Sequence, residues 1–141
     1  MDKNFKNQEK RISLIFLDKT EDLSKRMETI KIYKEYLDQN LSFPSEITGI
    51  EDFNWEEFYI LGPGSEKEYE KLKKSNPSYT DTFNLLKIDD CYDEYNGLIA
   101  NVIRPSDNKR FQIPLCDLTS TNRKSKDYQL LDDYSVWSIN Y

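Results

Sequence analysis

The chain contains no histidine, and only four glycines, five prolines, two cysteines and one alanine among its 141 residues. Without histidine there is no Ser-His-Asp or Cys-His nucleophile system, no His-ligated zinc and no imidazole acid–base catalysis. Cys91 and Cys116 lie far apart, with no CxxC spacing. Two reduced thiols are therefore expected, or one disulfide if the fold brings them together. No apolar run approaches the ~20 residues needed to span a bilayer. Met1 to Gln8 is charged and has no apolar core, so it is not read as a secretory signal. Together these absences place the chain in the cytoplasm.

What the chain has is aromatic and acidic. Seven Phe, ten Tyr and two Trp supply a core and argue against disorder, which goes with aromatic-poor composition. The length fits one domain, residues 1–141. The formal net charge is −6. Residues 1–45 carry nine basic and eight acidic side chains, and residues 98–141 six and five. Residues 46–97 carry five basic and thirteen acidic, so the whole excess sits in the middle third. Such a field repels nucleic acid and anionic membranes and attracts cations or basic proteins.

Residues 1–10 read as a polar leader, and the apolar burst Lys10–Leu17 as a strand or the first turn of a helix. Leu23, Met27, Ile30, Tyr33, Leu37 and Leu41 recur at spacings of three and four, which predicts an amphipathic helix over about 20–40 with Thr20 as N-cap. Residues 45–53 and 56–61 read as short strands around an acidic turn. Gly62-Pro63-Gly64 breaks the chain, and Ser65 with Glu68 forms a capping-box signature for a short helix ending near Ser75. Residues 62–80 are therefore expected to be a surface insertion. Thr82–Ile88, Leu98–Arg104 and Arg110–Leu118 read as strands, with Asn96-Gly97 as a turn and residues 105–109 as a hairpin loop. A helix over 126–137 closes the chain. The order predicts an α+β fold, a small antiparallel β-sheet or SH3-like barrel flanked by an N-terminal and a C-terminal helix.

Most of the acidic excess falls in two clusters. Glu51, Asp52, Glu56 and Glu57 form one, and Asp89, Asp90, Asp93 and Glu94 the other, with no basic residue inside either. Crowded carboxylates repel one another; a solvated loop tolerates this and a bound cation relieves it. Hard oxygen ligands of this kind suit Ca²⁺ or Mg²⁺. The EF-hand template fails, because counting from Asp89 or Asp90 no glycine falls sixth and no glutamate twelfth. Gly62-Pro63-Gly64 lacks the Gly-Lys-Ser/Thr of a phosphate loop. Asp132 and Asp133 are neighbours on the closing helix and face different directions, so they make no acid–base dyad and are expected on its solvent side. No catalytic constellation emerges, and the chain reads as a non-enzyme.

Two stretches carry a family resemblance. Tyr33-Lys34-Glu35-Tyr36-Leu37-Asp38-Gln39-Asn40-Leu41-Ser42-Phe43-Pro44 resembles the helix-to-Phe-Pro entry of the small CcbP-like calcium-binding proteins associated with cyanobacteria. Ile113-Pro114-Leu115-Cys116-Asp117-Leu118, followed by Asp133-Tyr134-Ser135-Val136-Trp137-Ser138-Ile139-Asn140, resembles that family's C-terminal end. The resemblance covers about half the chain and implies a compact α+β domain binding Ca²⁺ through surface carboxylates, as a weak buffer or regulator. Asp117 and Asp133 match motif positions.

On this reading Ca²⁺ is held by Asp89, Asp90, Asp93 and Glu94, completed by Glu51 and Asp52. The alternative from another class is a small acidic interaction or immunity-type protein that occludes a basic partner protein. Trp55 and Phe58, beside Glu56 and Glu57, would anchor it.

Overall fold

The computed structural model describes residues 3–141, with side chains from Lys6 onward. Helix α1 (Lys3–Ile15) takes up most of the stretch read as a leader. Its buried Ile12 and Ile15, with Phe16 beyond its end, explain why a charged segment is helical: it covers apolar surface on other helices.

Helix α2 (Met27–Asn40) begins seven residues later than the periodicity predicts. Residues 20–26 are held instead as a loop by Arg26. Its guanidinium donates to the Thr20 hydroxyl at 2.9 Å and the Asp22 carbonyl at 3.1 Å. The Arg26 N–H then donates to the Thr29 hydroxyl at 3.0 Å. Thr29 thus acts at the helix start where Thr20 was expected. Pro44 follows a cis Phe43–Pro44 bond, and the chain enters β1 (Ser45–Gly49).

Residues 56–61 are not a strand. A 3-10 turn (Asn54–Glu56) runs into the single-turn helix α3 (Glu57–Ile60), and helix α4 (Glu66–Leu72) follows with Ser65 as its N-cap. Glu56 decides this. Its carboxylate is fully buried and accepts from the Ser78 hydroxyl at 2.8 Å, the Tyr79 N–H at 2.8 Å and the Tyr69 hydroxyl. Alternation of apolar and polar residues in a six-residue window cannot register such a buried acid.

Strands β2 (Thr82–Ile88), β3 (Ile99–Arg104), β4 (Lys109–Pro114) and β5 (Leu118–Ser120) complete one open antiparallel sheet in the order β4-β3-β2-β1-β5. Of the two expected forms the open sheet is the one present, not a closed barrel. A 3-10 turn (Leu115–Asp117) carries the chain from one edge strand to the other. Helix α5 (Lys126–Asn140) packs against that turn and β5, and α1 packs against α5 and α2. Phe16, Tyr33, Tyr134 and Trp137 meet where the helices join, with the Tyr33 and Trp137 rings 4.9 Å apart and Tyr33 and Tyr134 5.1 Å apart. Among the described residues no helix is long and apolar enough to cross a membrane.

Candidate functional site

The sheet separates the two acidic clusters. Thr48 of β1 pairs with Thr82, so Glu51 and Asp52 leave the sheet beside the start of β2. Asp89 follows the end of β2, where its N–H donates to the Ile99 carbonyl at 2.8 Å. Glu51 and Asp52 therefore belong to one cleft and Asp89–Glu94 to another, and the expected joint site is not assembled.

The carboxylates of the β2–β3 loop are already engaged. Asp89 accepts from the Cys91 N–H at 2.8 Å, from Asn101 Nδ2 at 2.9 Å and from Gln112 Nε2 at 3.0 Å. Those bonds, led by the Cys91 amide, hold its carboxyl below the usual range. Asp93 accepts from the Asn96 N–H at 2.6 Å, which likewise lowers its pKa and closes the Asn96-Gly97 turn. Gly97 has φ +67°, and a Cβ there would meet the Tyr134 hydroxyl at 2.6 Å, so the turn needs glycine twice over. Asp90 lies between Lys34 at 3.6 Å and Lys87 at 3.5 Å. Glu94 accepts from the Met27 N–H at 3.3 Å, an anion at the start of α2. Asp89, Asp93, Asn96 and Gln112 line an open cleft of about 460 Å³.

The second cleft is smaller, about 130 Å³, and more enclosed. Glu51, Asp52, Asn54, Glu57 and Asp117 supply its oxygens, and Ile50 and Ile139 form its apolar shoulders. Three elements build it. The Ile50 N–H donates to the Asp117 carbonyl at 3.0 Å, tying the exit of β1 to the 3-10 turn. The Ser135 hydroxyl donates to the Cys116 carbonyl at 2.9 Å, tying that turn to α5.

No lysine or arginine lines this cleft. Burial pushes the Asp117 carboxyl up, the Cys116 thiol opposes this with a weak S–H bond, and the charge of Glu51 adds to the rise. The same burial pushes the Cys116 thiol up to about 11, so it is a poor nucleophile. Both cysteines are free.

The remaining candidates resolve into structural roles. Asp133 is 4 % exposed and is bound by Arg11, while its neighbour Asp132 faces solvent. The solvent-side expectation therefore holds for Asp132 alone. Trp55 is partly buried, with its indole N–H on the Pro77 carbonyl at 2.6 Å, whereas Phe58 is exposed. Glu56 and Glu57 read alike in sequence, yet one turn of backbone buries the first and puts the second in the cleft. Only the resemblance pointed to Asp117. Among the described residues no three Asp, Glu, Cys or His side chains form a ready-made metal site.

No family model matches the chain, and no curated protein matches it either. In fold it is similar to the crystal structure of Anabaena CcbP, at 16 % identity and a TM-score of 0.60, over 94 % of this chain and 89 % of that one. It is similar also to a calcium binding protein in its calcium-binding form, at 16 % identity and a TM-score of 0.56, over the same shares. At that identity the likeness shows the fold: the chain has the CcbP architecture.

Proposed function

We propose that this chain is a non-enzymatic, weak calcium-binding protein, a buffer or regulator without EF-hands. It would hold Ca²⁺ chiefly in the cleft of Glu51, Asp52, Glu57 and Asp117. The observation that carries this assignment is that four carboxylates line a small cleft with no lysine or arginine among its lining residues. A bound dication relieves their repulsion and satisfies Asp117 in its charged form. Ca²⁺ accepts irregular oxygen geometry, whereas Mg²⁺ demands a near-ideal octahedron, so the open arrangement favours calcium. Side chains must draw together to bind, which places the affinity toward the weak end of the calcium range, Kd about 10⁻⁴ M. The fold shared with a calcium binding protein supports the same reading.

The loop of Asp89, Asp90, Asp93 and Glu94 is the weaker candidate, because its carboxylates already hold amides and lysines. Calorimetric titration with Ca²⁺, with Mg²⁺ as control, decides between them. A saturable isotherm lost in Glu51→Gln/Asp117→Asn and kept in Asp89→Asn/Asp93→Asn supports the cleft. The reverse pattern moves the site to the loop. A flat trace for the unaltered protein removes the calcium reading. It would leave the acidic cleft, with Ile50 and Ile139 beside it, to the alternative of a basic partner protein.

A further inference from the structure

A groove of about 600 Å³ lies on a different kind of surface. It runs across the β2-β3-β4 face, lined by Leu86, Lys87, Asn101, Arg110, Phe111 and Gln112, with no carboxylate among its lining residues. Asp89 and Asp90 border it at one end, on Asn101, Gln112 and Lys87, and Arg110 lies toward the hairpin end. A break in the β2–β3 register between Leu85 and Lys87 sits at its wall, at Leu86.

The groove borders the free edge of β4. Leu115 N–H donates to the Leu98 carbonyl, and β4 pairs with β3 from Lys109↔Arg104 to Pro114↔Ile99. The alternation set by that bond turns Lys109, Phe111 and Ile113 main-chain groups toward β3. The N–H and C=O of Arg110 and Gln112 therefore point away from the sheet, and no strand lies beyond them.

Charge selects what can pair there. The Arg110 side chain takes no part in the ion pairs, which engage Arg11, Arg26 and Arg104. Lys109 reaches the Lys74 carbonyl at 2.9 Å, which gathers Lys74, Lys109 and Arg110 at the hairpin end. Like charges oppose pairing of this edge with a second copy of itself, the usual protection of an edge strand. The same charges favour an extended segment that carries carboxylates. Phe111 of β4 offers apolar contact to the side chains that an added strand places on its face.

We infer that the edge of β4 is a docking strand for an extended acidic peptide segment of a partner protein, which adds as a sixth strand and sets alternate carboxylates on the face that carries Arg110. The inference is independent of the calcium site proposed above, since Glu51, Asp52, Glu57 and Asp117 take no part in it.

The test uses the full chain and an end-capped eight-residue peptide of alternating glutamate and valine, with the lysine–valine peptide as control. Binding is followed by amide NMR. Saturable shifts at residues 109–114, with slowed exchange of the Arg110 and Gln112 amides, are expected for the acidic peptide only. Arg110→Glu should weaken it at least about fivefold. Gln112→Pro removes one outward N–H while leaving the main-chain bonds of β4 to β3 in place, and should weaken it as well. Absence of saturable binding overturns the inference, as do equal binding of the two peptides, shifts centred elsewhere, or an unaffected Arg110→Glu. Shifts at Arg110 and Gln112 that depend on protein concentration alone would assign the edge to a second copy of the chain and overturn it too.

Discussion

Arg11 donates to both oxygens of Asp133, from Nε at 2.8 Å and from Nη2 at 2.9 Å, and this fork joins α1 to α5 across most of the length of the chain. Gln8 adds a third bond to Asp133 at 3.0 Å. The Asp133 side chain is almost wholly buried while Arg11 is partly exposed, so the pair is strong in geometry but screened on one side. A position that carries the family resemblance, and that was expected on the solvent side of its helix, is thus a structural anchor. Asp133→Ala should cost about 2 kcal/mol, because it strands a guanidinium and an amide. Thermal melts would show a Tm lower by roughly 6 °C, with the calcium isotherm unmoved.

Glu56 should be the residue on which the 54–80 segment depends. Its removal in Glu56→Ala leaves the Tyr79 N–H and the Ser78 hydroxyl without their acceptor, at a cost of about 3 kcal/mol. Hydrogen exchange should rise first in residues 66–80, before the sheet opens. Uniform acceleration over the whole chain would show instead that this segment and the sheet unfold together.

Acid should loosen the β3–β4 hairpin early. The Arg104 guanidinium, bonded at 2.7 Å, holds the Asp107 carboxyl down at about 2. A carboxyl whose folded pKa lies below its unfolded value of about 3.9 stabilises the fold above that value, and the contribution is lost as pH falls through the folded pKa. Between pH 4 and 2 the unaltered chain should lose stability that Asp107→Asn lacks from the start. Urea midpoints measured across that window would converge for the two proteins at the acid end.

The Asp117 carboxyl has the opposite sign. Burial raises its pKa in the fold, so its contribution favours folding below the unfolded value and is lost as pH rises through the folded one. Asp117→Asn should therefore raise Tm slightly at neutral pH without calcium while weakening calcium binding about tenfold, since it removes one ligand charge. Near the raised pKa, calcium should displace a proton. Titrations repeated over a series of acidic pH values, in two buffers of different ionisation enthalpy, should give different apparent heats for the unaltered chain where proton release sets in and equal heats for Asp117→Asn.

Much of the fold was legible because it rests on local signals. Ser65 and Glu68 opened α4, Asn96-Gly97 made a turn, and Thr82–Ile88 became β2 at the expected bounds. The errors share a cause. The start of α2 is set by Arg26 and Thr29 bonds within a loop, and the helix at 57–60 by an acid buried against Ser78 and Tyr79, twenty-odd residues away. The site was half legible. Crowded carboxylates announced themselves by composition, but the strand register decided which of them meet, and Asp117 reaches Glu51 and Glu57 only because the 3-10 turn crosses from β4 to β5.

The union of α1 with α5 also orders events during synthesis. Phe16 is made more than a hundred residues before the Trp137 side chain that packs on it beside Tyr33. β1 waits likewise for β5, since Ile47 pairs with Ser120. On the ribosome the nascent chain must keep its amino-terminal helix uncovered until residues 126–140 emerge. Cooperative folding is thereby deferred until α5 has emerged, and interrupted synthesis before α5 leaves a chain with exposed apolar surface for chaperones or proteases to act on.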